Sequence, residues 1–233
     1  MQLAAEQPRE PEWLREAEAA DAAGWAAEGA TPALDPAAIG LSDFAPPGNY
    51  IERQVARWTR QYRAAQTDDI PDITSVAAWL AAHMPPDGAP SLIHNDYKFD
   101  NVIFDTSLER ITGVLDWEMA TVGDPLMDLS STIAYWVEAE DDELFQLFRR
   151  QPTNAPGMWT RAELIERYAA ATGREVGAEQ ALFLEVFGLF RLAVIAQQIW
   201  YRYVHRQTTN ESYAIMGQVV GYLEQRCRRL IAG

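Results

Sequence analysis

In the segment His94-Asn95-Asp96-Tyr97-Lys98-Phe99-Asp100-Asn101, an aspartate follows a histidine by two residues and an asparagine follows that aspartate by five. Phosphoryl transfer calls for those types: a carboxylate to orient or deprotonate a hydroxyl, and a nearby amide oxygen to ligate Mg²⁺. Asp116, in Val114-Leu115-Asp116-Trp117-Glu118, closes a second β-prone run. A hairpin returns its second strand beside its first, so Asn101 and Asp116 are expected to converge on one metal. Two oxygen ligands, completed by phosphate oxygens and water, suit a hard octahedral ion. A bare His-x-Asp-x4-Asn arises by chance in roughly one chain in a hundred at ordinary residue frequencies. The later Asp-Trp-Glu and Gly-Asp-Pro make coincidence a minor concern.

The elements that must hold these residues are legible around them. SLIHND, NVIFD and ITGVLDW are short runs rich in Ile, Val and Phe, and the last two flank the polar turn TSLER, so a small hairpin is predicted. Ahead of it, Asn49 stands where an N-cap belongs, with Ile51, Val55, Trp58 and Tyr62 at helical spacing. A second helix is expected from Ile73 to Met84, stopped by Pro85 and Pro86. After the hairpin everything reads as helix. Asp124 and Pro125 give a cap and a first-turn proline for a helix to about Val137. Thr160 and Glu163 form a capping box, with Gly173 as the stop. Long helices over 178–205 and 211–230 close the chain. Asp124 is read as a cap. Asp128 either stiffens the catalytic loop or is a solvated first-turn acid, and Glu118 is open between supporting and structural roles. The acidic run Glu138 to Glu143 reads as a solvated connection, with a cationic substrate as the other option. Trp136, Trp159, Trp200, Tyr201 and Tyr203 are read as core rather than as a cage.

Charge narrows the partners. Lys and Arg total 19 against 34 for Asp and Glu, a net charge of −15, which opposes a phosphate backbone and argues against nucleic acid. Residues 94–150, with thirteen acids and four bases, are the acidic focus. One cysteine, Cys227, allows no internal disulfide and fits a reducing, cytoplasmic setting. The start MQLAAEQPREPEW lacks the basic and apolar runs of an export signal. The most apolar stretch, Phe183 to Tyr203, is interrupted by Glu185, Arg191, Gln197 and Gln198, so it is expected to be a buried helix and not a membrane span.

HNDYKFDN followed by VLDWEMATVGDPLMDLS resembles the catalytic core of the aminoglycoside phosphotransferase and choline kinase superfamily, whose fold is similar to protein kinases. The run LDPAAIGLSDF with NYIERQVARW resembles a branch that includes the kinase-like domain fused to some acyl-CoA dehydrogenases. The resemblance runs from about Leu34 to the C-terminus. It implies an α+β, mostly α fold: a protein-kinase-like C-terminal lobe over 34–233, a helical bundle with a small hairpin carrying the catalytic loop, after an Ala-rich acidic N-terminal helix or extension over 1–33. By the same resemblance Asp96 is the catalytic base or hydroxyl-orienting carboxylate, Asn101 and Asp116 hold Mg²⁺, His94 braces the loop, and Lys98 reaches the γ-phosphate of ATP. Asn95 departs from the glycine often found there, although choline kinases can also show His-Asn-Asp.

The same family carries an N-terminal lobe whose strand lysine pairs with the α- and β-phosphates. The only lysine here is Lys98, inside the catalytic loop, and no glycine cluster or run of strands precedes Ser91. The nucleotide lobe is therefore expected to be missing, the isolated chain to bind Mg-nucleotide weakly, and the surface that lobe would cover to be apolar and able to hold a second copy or another chain. The expected function is ATP-dependent O-phosphotransfer to a small-molecule hydroxyl, with a non-catalytic binding or regulatory module as the alternative. A metal-dependent phosphohydrolase is poorly supported by three scattered histidines, His83, His94 and His205. For the acceptor, the acidic site region favours cations and the dehydrogenase-fused likeness favours acyl compounds.

Overall fold

The computed structural model describes residues 35–46, 48–107 and 110–233. The expected extension 1–33 lies outside the described residues.

Helix α1 (Tyr50–Ala64) buries the stripe Ile51, Val55, Trp58 and Tyr62, whose spacing returns each side chain to one face. Its start differs from the expectation in one respect. Asn49 occupies the N-cap position in a left-handed conformation (φ 50°, ψ 36°) and its side chain caps nothing. The free N–H groups of Tyr50 and Ile51 donate instead to the Asp87 carboxylate, at 2.6 and 2.9 Å. A cap side chain reaches the N–H groups ahead of it from an extended backbone, which Asn49 does not have. A carboxylate there also meets the positive end of the helix dipole. Helix α2 (Thr74–Ala82) follows, ending before the two prolines.

Two small antiparallel sheets carry the middle of the chain. β2 (Val102–Phe104) and β3 (Ile111–Val114) form the expected hairpin, with Val102 opposite Val114. β1 (Ser91–Ile93) pairs with β4 (Thr121–Gly123), Ser91 opposite Gly123. The second pairing enlarges the sequence expectation of a single hairpin: Thr-Val-Gly is too short and too glycine-bearing to read as a strand. The glycine has a reason. A Cβ on Gly123 would lie 2.6 Å from the Tyr50 ring and 2.8 Å from Ile93, so only a residue without a side chain lets β4 approach both.

The body is helical: α3 (Pro125–Ala134), α4 (Glu143–Leu147), α5 (Arg161–Thr172), α6 (Ala178–Val204) and α7 (Met216–Ala232). Asp124 caps α3 by accepting from the Leu126 N–H, and the Thr160–Glu163 box with left-handed Gly173 bounds α5, as the sequence implied. α6 packs against α1, α2, α3 and α7. Phe183, Leu184, Val186, Phe190, Ala193 and Val194 on it are fully buried. Full burial of a Phe, Leu or Val stabilises by about 1.5–3 kcal/mol each, so α6 is the axis of the core. By length and composition α6 could cross a membrane, yet 67% of its most apolar window is buried inside the protein. At Gly188 a Cβ would collide with the carbonyl oxygen of Ser130, which lets α3 and α6 meet at backbone distance. Cys227 is fully buried on α7, and burial pushes its thiol far up from its ordinary value.

The acidic run departs from expectation. Asp141 is nearly buried and pairs with Arg161 at 2.7 Å and Arg226 at 2.6 Å, while Glu138 pairs with Arg161 at 3.2 Å. Asp142 caps α4 through the Phe145 N–H and accepts from the Tyr222 hydroxyl. Part of this connection is therefore a buried anchor, because two arginines from α5 and α7 reach it from sequence positions no local pattern links.

Candidate active site

The segment between β1 and β2 carries His94 through Asn101, and a web of hydrogen bonds from four distant side chains holds it. The Asp128 carboxylate, in the first turn of α3, accepts the N–H of His94 and of Asn95, both at 2.7 Å. Thr132, one turn on, donates its hydroxyl to the Tyr97 carbonyl at 2.9 Å. Gln151 accepts the Phe99 N–H at 2.9 Å. Arg191 of α6 donates to the Asn95 carbonyl at 2.7 Å. Of these, loop stiffening is one of the two readings the sequence leaves open for Asp128, and Arg191 stands in the sequence only as an interruption in an apolar run. Thr132 and Gln151 carried no signal. A polar side chain inside a buried, apolar helix must find a partner, and that rule pointed at Arg191.

His94, 2% exposed, braces the loop. Its Nδ1 accepts the Asp96 N–H at 3.2 Å, which puts the proton on Nε2, and Nε2 donates to the Leu115 carbonyl at 2.8 Å. One imidazole thus ties this loop to the residue before Asp116. Asn95 has φ 66°, a left-handed conformation that glycine and asparagine adopt at little cost. This conformation suits an asparagine to position 95.

Asp96 points into a polar cluster. Its carboxylate forms an ion pair with Lys98 and accepts from the Asn101 amide at 3.1 Å. The same amide nitrogen donates to the Asp96 carbonyl at 2.8 Å. Lys98 also lies over the Tyr135 ring, 5.2 Å from its centre. Burial is the main cause that raises the Tyr135 hydroxyl pKa, reinforced by the Asp96 charge and opposed by Lys98. Burial likewise raises the Asp128 carboxyl, against the lowering effect of the two N–H bonds and of Arg191.

Asn101 and Asp116 are brought side by side: the Leu115 N–H donates to the Asn101 carbonyl at 2.7 Å, and Asp116 follows. Asp116 is exposed and left-handed at φ 66°. With the Asn101 nitrogen spent on Asp96, its amide oxygen is left without a hydrogen bond among the described residues, and the Asp116 carboxylate is likewise unbonded. Two free oxygens on adjoining positions fit a hard cation such as Mg²⁺. Among the described residues no group of three or more His, Cys, Asp or Glu gathers in the manner of a zinc or binuclear site. Glu118 is exposed beside this region, while His83 and His205 are surface residues stacked on Trp79 and Tyr201.

Known proteins resemble this chain in sequence and fold. A solved Ralstonia eutropha JMP134 structure, classed with the aminoglycoside phosphotransferases, is 32% identical and superposes with a TM-score of 0.73 over 84% of this chain and 60% of its own. Acyl-CoA dehydrogenase family member 10 of Mus musculus is 33% identical over 187 residues, 80% of this chain and 17% of that protein. Acyl-CoA dehydrogenase family member 11 of Gallus gallus is 33% identical over 197 residues, 83% of this chain and 25% of that protein. The chain thus spans a quarter or less of these two relatives. The model of the phosphotransferase enzyme family matches residues 2–177, a span that contains the 94–101 loop, Asp116 and Asp128. With that match over most of its length and the kinase-like fold around the same residues, the chain belongs to the phosphotransferase enzyme family.

Proposed function

We propose that this chain is the catalytic and acceptor-binding part of an ATP-dependent O-phosphotransferase acting on a small-molecule hydroxyl. The observation that carries the reading is the Asp96–Lys98–Asn101 cluster, held on a loop pinned at both N–H groups by Asp128 and set beside Asp116. Asp96 accepts the proton of the acceptor hydroxyl as its oxygen attacks the γ-phosphorus. The bond from that phosphorus to the ADP oxygen breaks, and ADP leaves. Lys98 offsets negative charge beside the transferring group, and the Asn101 amide fixes the carboxylate that takes the proton. Mg²⁺, when bound, would sit on Asn101 and Asp116 and neutralise charge on the phosphate oxygens.

The test is phosphate transfer from ATP across aminoglycosides, choline-like amines and hydroxyacyl compounds, followed as ADP release. Asp96→Ala is expected to lower the rate by about 10²–10⁴-fold, the usual contribution of a positioned base. A parent and variant of equal activity would refute the role of Asp96. A second reading, a non-catalytic module built on the same scaffold, draws on the chain's single lysine, which leaves no strand lysine for the α- and β-phosphates. Positioning supplies most of the catalysis in phosphoryl transfer. Mg-ATP is therefore expected to bind these 233 residues with a Kd weaker than about 100 μM. Micromolar affinity by isothermal titration would overturn that expectation, and silence of parent and Asp96→Ala alike across the panel would favour the module.

A further inference from the structure

A cavity of about 340 Å³ opens beside the catalytic loop, walled by α1, the 118–121 segment, α3 and α6. Its polar lining includes Tyr50, Gln54, Arg57, Asn95, Glu118 and Arg191. Two guanidinium groups and one carboxylate thus face one space, in a chain of net charge −15 whose catalytic quarter is strongly acidic. Arg191 is 5% exposed, yet the partners it touches are neutral: the Ser131 hydroxyl at 2.5 Å, the Asn95 carbonyl at 2.7 Å and the Trp58 ring at 5.3 Å. Arg57 lies 5.8 Å from the centre of the Trp58 ring. No carboxylate oxygen of a described residue comes within 4.0 Å of either guanidinium. Asp128, the anion whose field reaches Arg191, has both oxygens engaged by the N–H groups of His94 and Asn95.

The contrast with Arg161 and Arg226 is informative. Their side chains are 14% and 11% exposed, and each touches carboxylates directly. Withdrawing a cation from water without a counter-ion costs several kcal/mol. A planar guanidinium also presents the donor geometry that matches a carboxylate or phosphate. Tyr50 keeps its proton at neutral pH, since burial pushes its hydroxyl up to about 12, and it lies on the same wall donating to the Asn95 side chain at 3.3 Å.

The geometry points to a site for the anionic end of the acceptor: a carboxylate or phosphate group docks at Arg57 and Arg191, and the hydroxyl of the same molecule reaches Asp96, the residue next to Asn95. This inference rests on the phosphotransferase reading and adds the substrate class, hydroxyl compounds with an oxyanion tail in place of cationic amines. Glu118 leaves the cavity with one net positive charge, enough for a single oxyanion.

The experiment titrates the full chain with 3-hydroxybutyrate, glycerol 3-phosphate, 1,3-butanediol and choline, following tryptophan fluorescence because Trp58 lines the cavity. The two anions are expected to saturate and the diol and choline not to, and the tighter anion identifies carboxylate or phosphate as the natural tail. Arg57 is exposed on α1, so Arg57→Gln is expected to keep the parent melting temperature while weakening both anions at least tenfold. Equal binding of the diol, or anion binding untouched by Arg57→Gln, would overturn the site. Transfer from ATP, assayed on the same four compounds with Asp96→Asn as the inactive control, separates the two readings. Transfer to choline or the diol that ignores Arg57→Gln keeps the enzyme and rejects the site. Binding through Arg57 without any transfer rejects the phosphotransferase reading and with it the acceptor role. Inorganic phosphate is expected to compete with the anionic acceptor, and stimulation of transfer by it would mark an effector site and reject the proposal.

Discussion

Asp96 is held by charge, by an amide and by the shape of its loop. Lys98 and Asn101 fix the carboxylate, while His94 receives its N–H and passes the constraint to Leu115. Behind them Asp128 satisfies two N–H groups at once, and a buried N–H that loses its acceptor costs about 1–3 kcal/mol. Asp128→Ala is therefore expected to loosen the loop without touching a substrate. Amide exchange at His94 and Asn95 should accelerate by one to two orders of magnitude, and Asp128→Asn, which keeps one acceptor oxygen, should fall between. Unchanged exchange in Asp128→Ala would show that Arg191, Thr132 and Gln151 suffice. The residue types at 94, 96, 101 and 116 were legible in the sequence because their spacing is set by local chain geometry. For Arg191 the need of a buried partner was legible but not which partner, because Ser131 and Asn95 lie 60 and 96 positions away.

Helix α1 illustrates the element scale. Its apolar stripe is a property of the sequence, and so is its length, but its first N–H groups are satisfied by Asp87 from the loop after α2. Losing a cap costs about 0.5–2 kcal/mol. Asp87→Ala is expected to lower stability by about that amount in urea unfolding, with Asn49→Ala near neutral, because the Asn49 side chain caps nothing. The reverse ranking would restore Asn49 as the cap. The small sheets show the same division. β2 and β3 are adjacent in the chain and could be paired by inspection, whereas β1 finds β4 across the hairpin. The reason for Gly123 is a Tyr50 ring from another element.

Across the whole molecule, Arg161 and Arg226 gather Asp141 and Glu185, with Glu138 on Arg161, and fasten α5, α6 and α7 to the loop ahead of α4. Burial alone would raise the Asp141 carboxyl. The hydrogen bond from Arg161, the Glu138 N–H and the Arg226 charge more than reverse that, holding it below its ordinary 3.8. A carboxyl lowered by folding binds fewer protons in the native state, so its stabilisation is present above pH 3.8 and is lost as pH falls through its depressed value. Asp141→Asn leaves two buried arginines short of a charge and is expected to cost on the order of 3 kcal/mol at pH 7. The gap between parent and variant should close as the pH is lowered below 3.8. Urea midpoints at pH 7 and at successively lower pH measure it, and a gap that shows no decrease below pH 3.8 would exclude the charge as its source. Glu185 has the opposite sign: burial raises its carboxyl against the pull of Arg161 and Arg226.

What the sequence determined by itself is the β2–β3 hairpin, the helical stretches and the caps of α3 and α5, since all of these depend on side chains close together along the chain. The tertiary structure alone decided which charges are anchored and which stand free. Asp141 left solvent because two arginines arrived from distant helices, and Arg57 and Arg191 came to line one cavity because α1 and α6 pack together. Burial and pairing are properties of the assembled core, and no spacing along the chain encodes them.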